Sequence, residues 1–132
     1  MENLKIKLSV LWIFWILGFL VHMFLALFEE GAIEQIIAGE FAGTQITSVT
    51  MVLFAVMMLV PLVMAFMSLT LKDKVNRWAN VVVGIFYTGL CVFDMIGTAI
   101  YAISALSAYT ILMYTSHIVV STLIVWNAYK WT

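Results

Sequence analysis

Residues 78–105 read WANVVVGIFYTGLCVFDMIGTAIYAISA. One ionisable acid, Asp94, interrupts an apolar run long enough to cross a bilayer, which takes about 20 residues. A soluble core helix of this length would show a polar face every third or fourth position. Here the solvent on most sides must be lipid. The question is then why an aspartate sits inside the run, since a charge in hydrocarbon is costly unless it pairs.

The rest of the chain has the same character. It has 132 residues, 65% hydrophobic and only 10% charged, with a mean hydropathy of +1.13. A soluble domain carries about 25% charged residues. Further apolar runs fall at 8–28, 47–71 and 109–129. Together with 78–105 they predict an all-α, integral membrane four-helix bundle, a single domain over 1–132, with an outer loop at 29–46. The loop shows Ala32, Ile33, Ile36 and Ile37 at helical spacing, which fits a short surface helix or a loop capping the bundle end. The basic start and apolar stretch of residues 1–28 resemble a signal peptide, but no small-residue cleavage site follows, so a retained first helix is expected.

Every basic residue falls on one side of such an arrangement. Lys5 and Lys7 precede the first span, Lys72, Lys74 and Arg77 separate the second from the third, and Lys130 follows the fourth. Glu29, Glu30, Glu34 and Glu40 occupy the opposite side. The positive-inside rule then predicts a multi-pass protein of the cell membrane with both termini cytoplasmic. Arg77 and Trp78 are expected to anchor the third span among headgroups, with Asn76 as a helix cap and Asn80 bonding a neighbouring helix. Trp78 and Trp131 fit an interfacial aromatic belt.

Depth can be counted from these anchors. His22 lies fifteen residues after Lys7, Asp94 seventeen after Arg77, and His117 thirteen before Lys130. At about 1.5 Å per residue all three reach a similar level in the outer part of the membrane. Two polar stripes converge there: Tyr87, Cys91, Asp94, Thr98 and Tyr101 on the third span, and Thr110, Tyr114, His117 and Ser121 on the fourth. Such faces belong inside the bundle. The candidate pocket residues are therefore His22, Asp94, His117, Tyr87, Thr98, Tyr101 and Tyr114. Asp94 is expected within hydrogen-bond or one-water reach of His22, His117, Tyr114 or a threonine. The competing reading is structural, an aspartate that joins helices and binds nothing. Pro61, the only proline, predicts a bend in the second span and a freed carbonyl that neighbours must satisfy.

Several classes are excluded or disfavoured. The single cysteine, Cys91, rules out an internal disulfide and a CxxC redox centre. No phosphate-loop, zinc-protease or EF-hand motif occurs. No catalytic residue and no metal site is assigned, and the chain is read as leaning away from an enzyme. Helix 1 has no acid between Glu2 and Glu29, which disfavours a small multidrug transporter built around a membrane glutamate. The reading is a membrane protein that binds a small molecule or lipid in an outward-opening polar pocket. Two alternatives stand beside it: an accessory subunit of a larger membrane complex, and a b-type haem carrier using His22 and His117. No cofactor is otherwise implied. Membrane lipid is an expected partner, as is a homo-oligomer or larger complex, whereas nucleic acid is not.

The segments KIKLSVLWIF (5–14), IIAGEFAGTQIT (36–47), VNRWAN (75–80) and WNAYKW (126–131) together resemble a family of small four-helix prokaryotic membrane proteins of unknown function. The layout is more distantly similar to the DoxX-like four-helix families. The resemblance implies the fold and carries no catalytic residue.

Overall fold

A computed structural model describes residues 2–101 and 107–131 of the chain, with side chains given through residue 100 and again from 107. Among the described residues the order is α1 (Glu2–Ala26), α2 (Ala32–Ile37), β1 (Glu40–Phe41), β2 (Thr44–Gln45), α3 (Ser48–Thr70), α4 (Asp73–Tyr101) and α5 (Ala108–Tyr129). Helices α1, α3, α4 and α5 are each long and apolar enough to cross a membrane. The expected limits of the second span, 47 and 71, are the cap positions of α3. Thr47 Oγ1 accepts from Thr50 N at 3.2 Å and Thr50 Oγ1 from Thr47 N at 2.7 Å, a reciprocal box that ends the loop. Helices α1 and α4 start well before their apolar runs, because polar first turns such as Asp73–Asn76 are good helix starts although they are poor membrane segments. The end of the expected third span, residues 102–105, lies outside the described residues.

Helix α1 packs against α3 on one side and α5 on the other, α5 packs against α4, and α3 meets α4 only lightly. The bundle has apolar residues outside and polar ones inside. Phe14, Phe66, Phe93 and Leu112 are more than half exposed, whereas Ser9, Ser68, Asn76, Asn80, Thr110, His117 and Ser121 are buried.

The end carrying the basic residues is locked by side chains. Asn80 Oδ1 accepts from Trp12 Nε1 at 2.7 Å and from Ser68 Oγ at 3.2 Å. Asn80 Nδ2 donates to Asn76 Oδ1, and Asn76 Nδ2 donates to Ser68 O at 2.6 Å. One asparagine thus joins α1, α3 and α4. Asn76 is not the cap that its position before Arg77 predicts. The helix already begins at Asp73, so its amide turns inward and closes the α3–α4 turn. Lys5 Nζ adds an ion pair to Asp73 and a bond to Leu71 O, each 2.9 Å. Trp131 is buried too, which removes it from the aromatic belt expected of it. Trp78 stays 54% exposed, and Arg77 donates to Tyr129 O at 3.0 Å.

Helix α3 runs through Pro61 without a break in its helical turns. Proline lacks the N–H that would bond the carbonyl four residues earlier, which is that of Met57. Tyr87 Oη donates to Met57 O at 2.8 Å. A tyrosine of α4 therefore satisfies the carbonyl that Pro61 frees in α3.

The outer segment 29–46 holds two elements. The short helix α2 spans Ala32–Ile37. A hairpin follows, pairing Glu40 with Gln45 and Phe41 with Thr44, and it is the one departure from an all-helical chain among the described residues. Its turn residues Ala42 and Gly43 have φ of 48° and 75°, the left-handed pair that a two-residue hairpin turn demands.

Candidate functional site: a polar chamber at the acidic end

The four long helices and the hairpin enclose a chamber of about 300 Å³. Helix α1 contributes Trp15, Phe19, His22, Met23, Ala26 and Glu29 at its end, and α3 contributes Phe54 and Met57. Helix α4 supplies Tyr87, Leu90, Cys91, Asp94 and Thr98, spaced by three and four so that one face turns inward. Helix α5 supplies Tyr109, Thr110, Tyr114 and His117, and the hairpin lays Phe41, Ala42 and Thr44 across the end.

The structure therefore brings His22, Tyr87, Asp94, Thr98, Tyr114 and His117 to one cavity. The side chain of Tyr101, the seventh candidate, lies outside the described residues. The two imidazole rings stand 6.3 Å apart, and His22 also meets the rings of Tyr114 and Tyr109 edge-on at 5.3 and 6.2 Å. Asp94 lines the chamber with an exposed side chain and makes no direct hydrogen bond or ion pair with another described residue.

The floor is tightly built. Trp15 meets Tyr87 edge-on at 4.8 Å and His117 at 5.2 Å. His117 Nδ1 donates to Met113 O at 2.6 Å. Gly18 makes room for that ring, since a Cβ there would stand 3.4 Å from Nε2. His117 is 3% exposed and Trp15 4%. His117 Nε2 and Trp15 Nε1 are nonetheless without a hydrogen-bond partner among the described residues. Neither atom has surface open to the chamber, and His117 Nε2 lies against α1 beside Gly18 and the Trp15 backbone.

Sequence reasoning left out Trp15, Glu29, Tyr109 and the hairpin residues as site members. The helix 1 spacing Trp15–His22–Glu29 carried a signal for two of them, since these positions are seven apart. Tyr109 donates to a Glu29 carboxylate oxygen, joining α5 to the end of α1 across the mouth. No group of three His, Cys, Asp or Glu side chains among the described residues is close enough to share a metal ion.

A second cavity, of about 510 Å³, adjoins the first between α1, α3 and the hairpin. Its walls are almost wholly apolar, including Leu20, Phe24, Leu27, Ile36, Met51 and Met58. Phe19, Met23, Phe41, Thr44 and Phe54 line both.

Fold and chamber define a class: a small helical bundle with four helices of membrane-crossing length and composition, holding a polar cavity beside an apolar one. The chain belongs to a family of unknown function (DUF6326), which matches residues 1–132. No curated protein and no solved structure matches it.

Proposed function

We propose that this is an integral membrane protein of the cell membrane, with both termini cytoplasmic, that binds an amphiphilic small molecule or lipid in the chamber. The carrying observation is the pair of cavities with a common wall: a chamber lined by His22, Asp94, Thr98 and Tyr114, next to an almost wholly apolar cavity. A head group fits the first and an apolar chain the second. Binding sites of this kind are mostly apolar with a few placed polar groups. The inverted distribution of polarity supports the membrane setting, because exposed phenylalanines and leucines cover the outside of the bundle. The one-sided basic residues support the orientation. The chamber then opens toward the outer face, and Arg77 and Trp78 lie at the inner headgroup level. The prokaryotic setting and the DoxX-like layout belong to the same proposal.

Native mass spectrometry of the protein purified in mild detergent tests the reading. A bound amphiphile is expected on the unaltered chain and not on Ala26→Trp, whose indole would fill the chamber. Equal occupancy of both proteins, or of neither, would overturn it. A haem absorbance spectrum in the purified protein would replace it with the redox reading.

A further inference from the structure

The basic end of the bundle is unevenly neutralised. On the α1 side, Lys5 Nζ meets Asp73 at 2.9 Å. On α4 and at the end of α5, Lys74, Arg77 and Lys130 have no carboxylate partner among the described residues. The acids at this end are Asp73, which Lys5 engages, and Glu2 at the start of α1.

Two of these cations are held in place. Arg77 donates to Tyr129 O at 3.0 Å, and its guanidinium carbon lies 5.8 Å from the centre of the Trp78 ring and 6.0 Å from that of Tyr129. The Lys130 ammonium lies 4.1 Å from the centre of the Trp126 ring, one turn earlier on α5. The carbonyl that Arg77 engages belongs to the peptide leading into Lys130. Two positive side chains are thus gathered at one corner, although like charges repel. Arg77 has five N–H donors, and a single described hydrogen bond uses them. An anion at this corner would satisfy both groups.

The surroundings select the kind of anion. Trp78, Trp126 and Tyr129 are each more than half exposed. Apolar rows run from them toward the acidic end: Val82 and Phe86 follow Trp78 at steps of four on α4, and Leu123 and Val119 precede Trp126 by three and seven on α5, all of them exposed. A free anion has no use for such rows, whereas acyl chains do. Aromatic rings beside cations at the end of apolar spans match the level of lipid head groups.

We propose that this corner of α4 and α5 binds the phosphate of an anionic phospholipid. Arg77 and Lys130 donate to the phosphate oxygens, Lys74 one turn before Arg77 adds charge at the rim, and the acyl chains lie along the exposed rows. A zwitterionic lipid offers the same phosphate with a cation beside it, which the unneutralised corner repels. The inference uses the membrane setting and is independent of the chamber.

Dimyristoyl phosphatidylglycerol and dimyristoyl phosphatidylcholine are titrated into the full-length protein in nonionic detergent, and bound lipid is read by native mass spectrometry. Phosphatidylglycerol is expected to bind on the order of tenfold more tightly. In the double variant Arg77→Gln, Lys130→Gln that ratio should fall to within about twofold. Lys7→Gln removes a charge from α1 at the same end and should leave the ratio unchanged. Equal affinity of the unaltered protein for the two lipids would overturn the proposal. Equal losses in Lys7→Gln and Lys130→Gln would also overturn it, leaving only diffuse surface charge. Displacement of phosphatidylglycerol by an equal concentration of inorganic phosphate would assign the corner to a free anion instead of a lipid. Ala26→Trp fills the chamber and leaves the corner intact, so it should bind phosphatidylglycerol as the unaltered protein does. Loss of binding there would move the lipid to the chamber and overturn the corner site. If Arg77→Gln does not fold, Lys130→Gln alone decides, since Lys130 makes no side-chain hydrogen bond or ion pair among the described residues.

Discussion

Pro61, Met57 and Tyr87 form a unit in which one residue creates a defect and another repairs it. Tyr87→Phe removes the hydroxyl that donates to Met57 O in place of the missing proline N–H, at a cost of about 1–3 kcal/mol. Pro61→Ala restores an N–H four residues on, so the same Tyr87→Phe change in that background should cost clearly less. Thermal unfolding of the two single variants and the double variant closes the cycle, and equal losses from Tyr87→Phe in both backgrounds would show the two residues to be independent. Residue-scale features were unevenly legible in the sequence. His22, Asp94 and His117 could be placed at one depth because a helix advances by a fixed rise from a charged anchor. Asn76 was misread because cap preference is local, whereas this amide is used by the α3–α4 turn. Whether Asp94 bonds a neighbour directly was not legible, because sequence reveals which groups share a level and not how much space lies between them.

At the scale of elements, the long helices are legible since each needs only an unbroken apolar run, and their polar starts are the part that hydropathy hides. The hairpin carries no such signal. Strands of two residues show no alternation, and Ala42–Gly43 lacks the asparagine that usually marks this turn. Ala42 holds a left-handed φ of 48°, a conformation asparagine tolerates better than alanine. Ala42→Asn should therefore raise stability by about 0.5–1 kcal/mol, read as a higher midpoint in thermal unfolding, and a lower midpoint would argue against the turn. Between α4 and α5 the limiting residue is Gly84. A Cβ there would stand 2.7 Å from Val125 Cγ2, and small residues are what let membrane helices approach. Gly84→Val should lower the unfolding midpoint by several degrees, corresponding to the roughly 1–3 kcal/mol typical of overpacking, while Gly89→Val, where a Cβ meets nothing within 4 Å, should have little effect.

For the molecule as a whole, orientation is the prediction that most needs a direct measurement. Single cysteines placed at Glu34 and Asp73, in a Cys91→Ser background, should react with a membrane-impermeant maleimide from opposite sides of intact cells and inverted vesicles. Labelling of the Glu34 position only from the cytoplasmic side would reverse the orientation and turn the chamber inward. The overall architecture was legible because four apolar runs of spanning length can be read from composition and length alone. The second cavity was not, because it arises from the angle at which α1, α3 and the hairpin meet, and no residue pattern encodes that angle.

The repaired defect in α3 also has a mechanical side. Helices α3 and α4 are clamped where Ser68, Asn76 and Asn80 meet, and Tyr87 ties them once more at Met57. Beyond that tie no hydrogen bond joins the two helices among the described residues. Ser48 stands about 20 Å from Pro61 along the helix, beyond the step that proline makes softer than the helix on either side. A tilt of about 5° at that step would swing the Ser48 end by about 2 Å, carrying Phe54 with it. Phe54 lines both cavities and lies on the outer half of α3, so such a tilt would move a side chain the two cavities share.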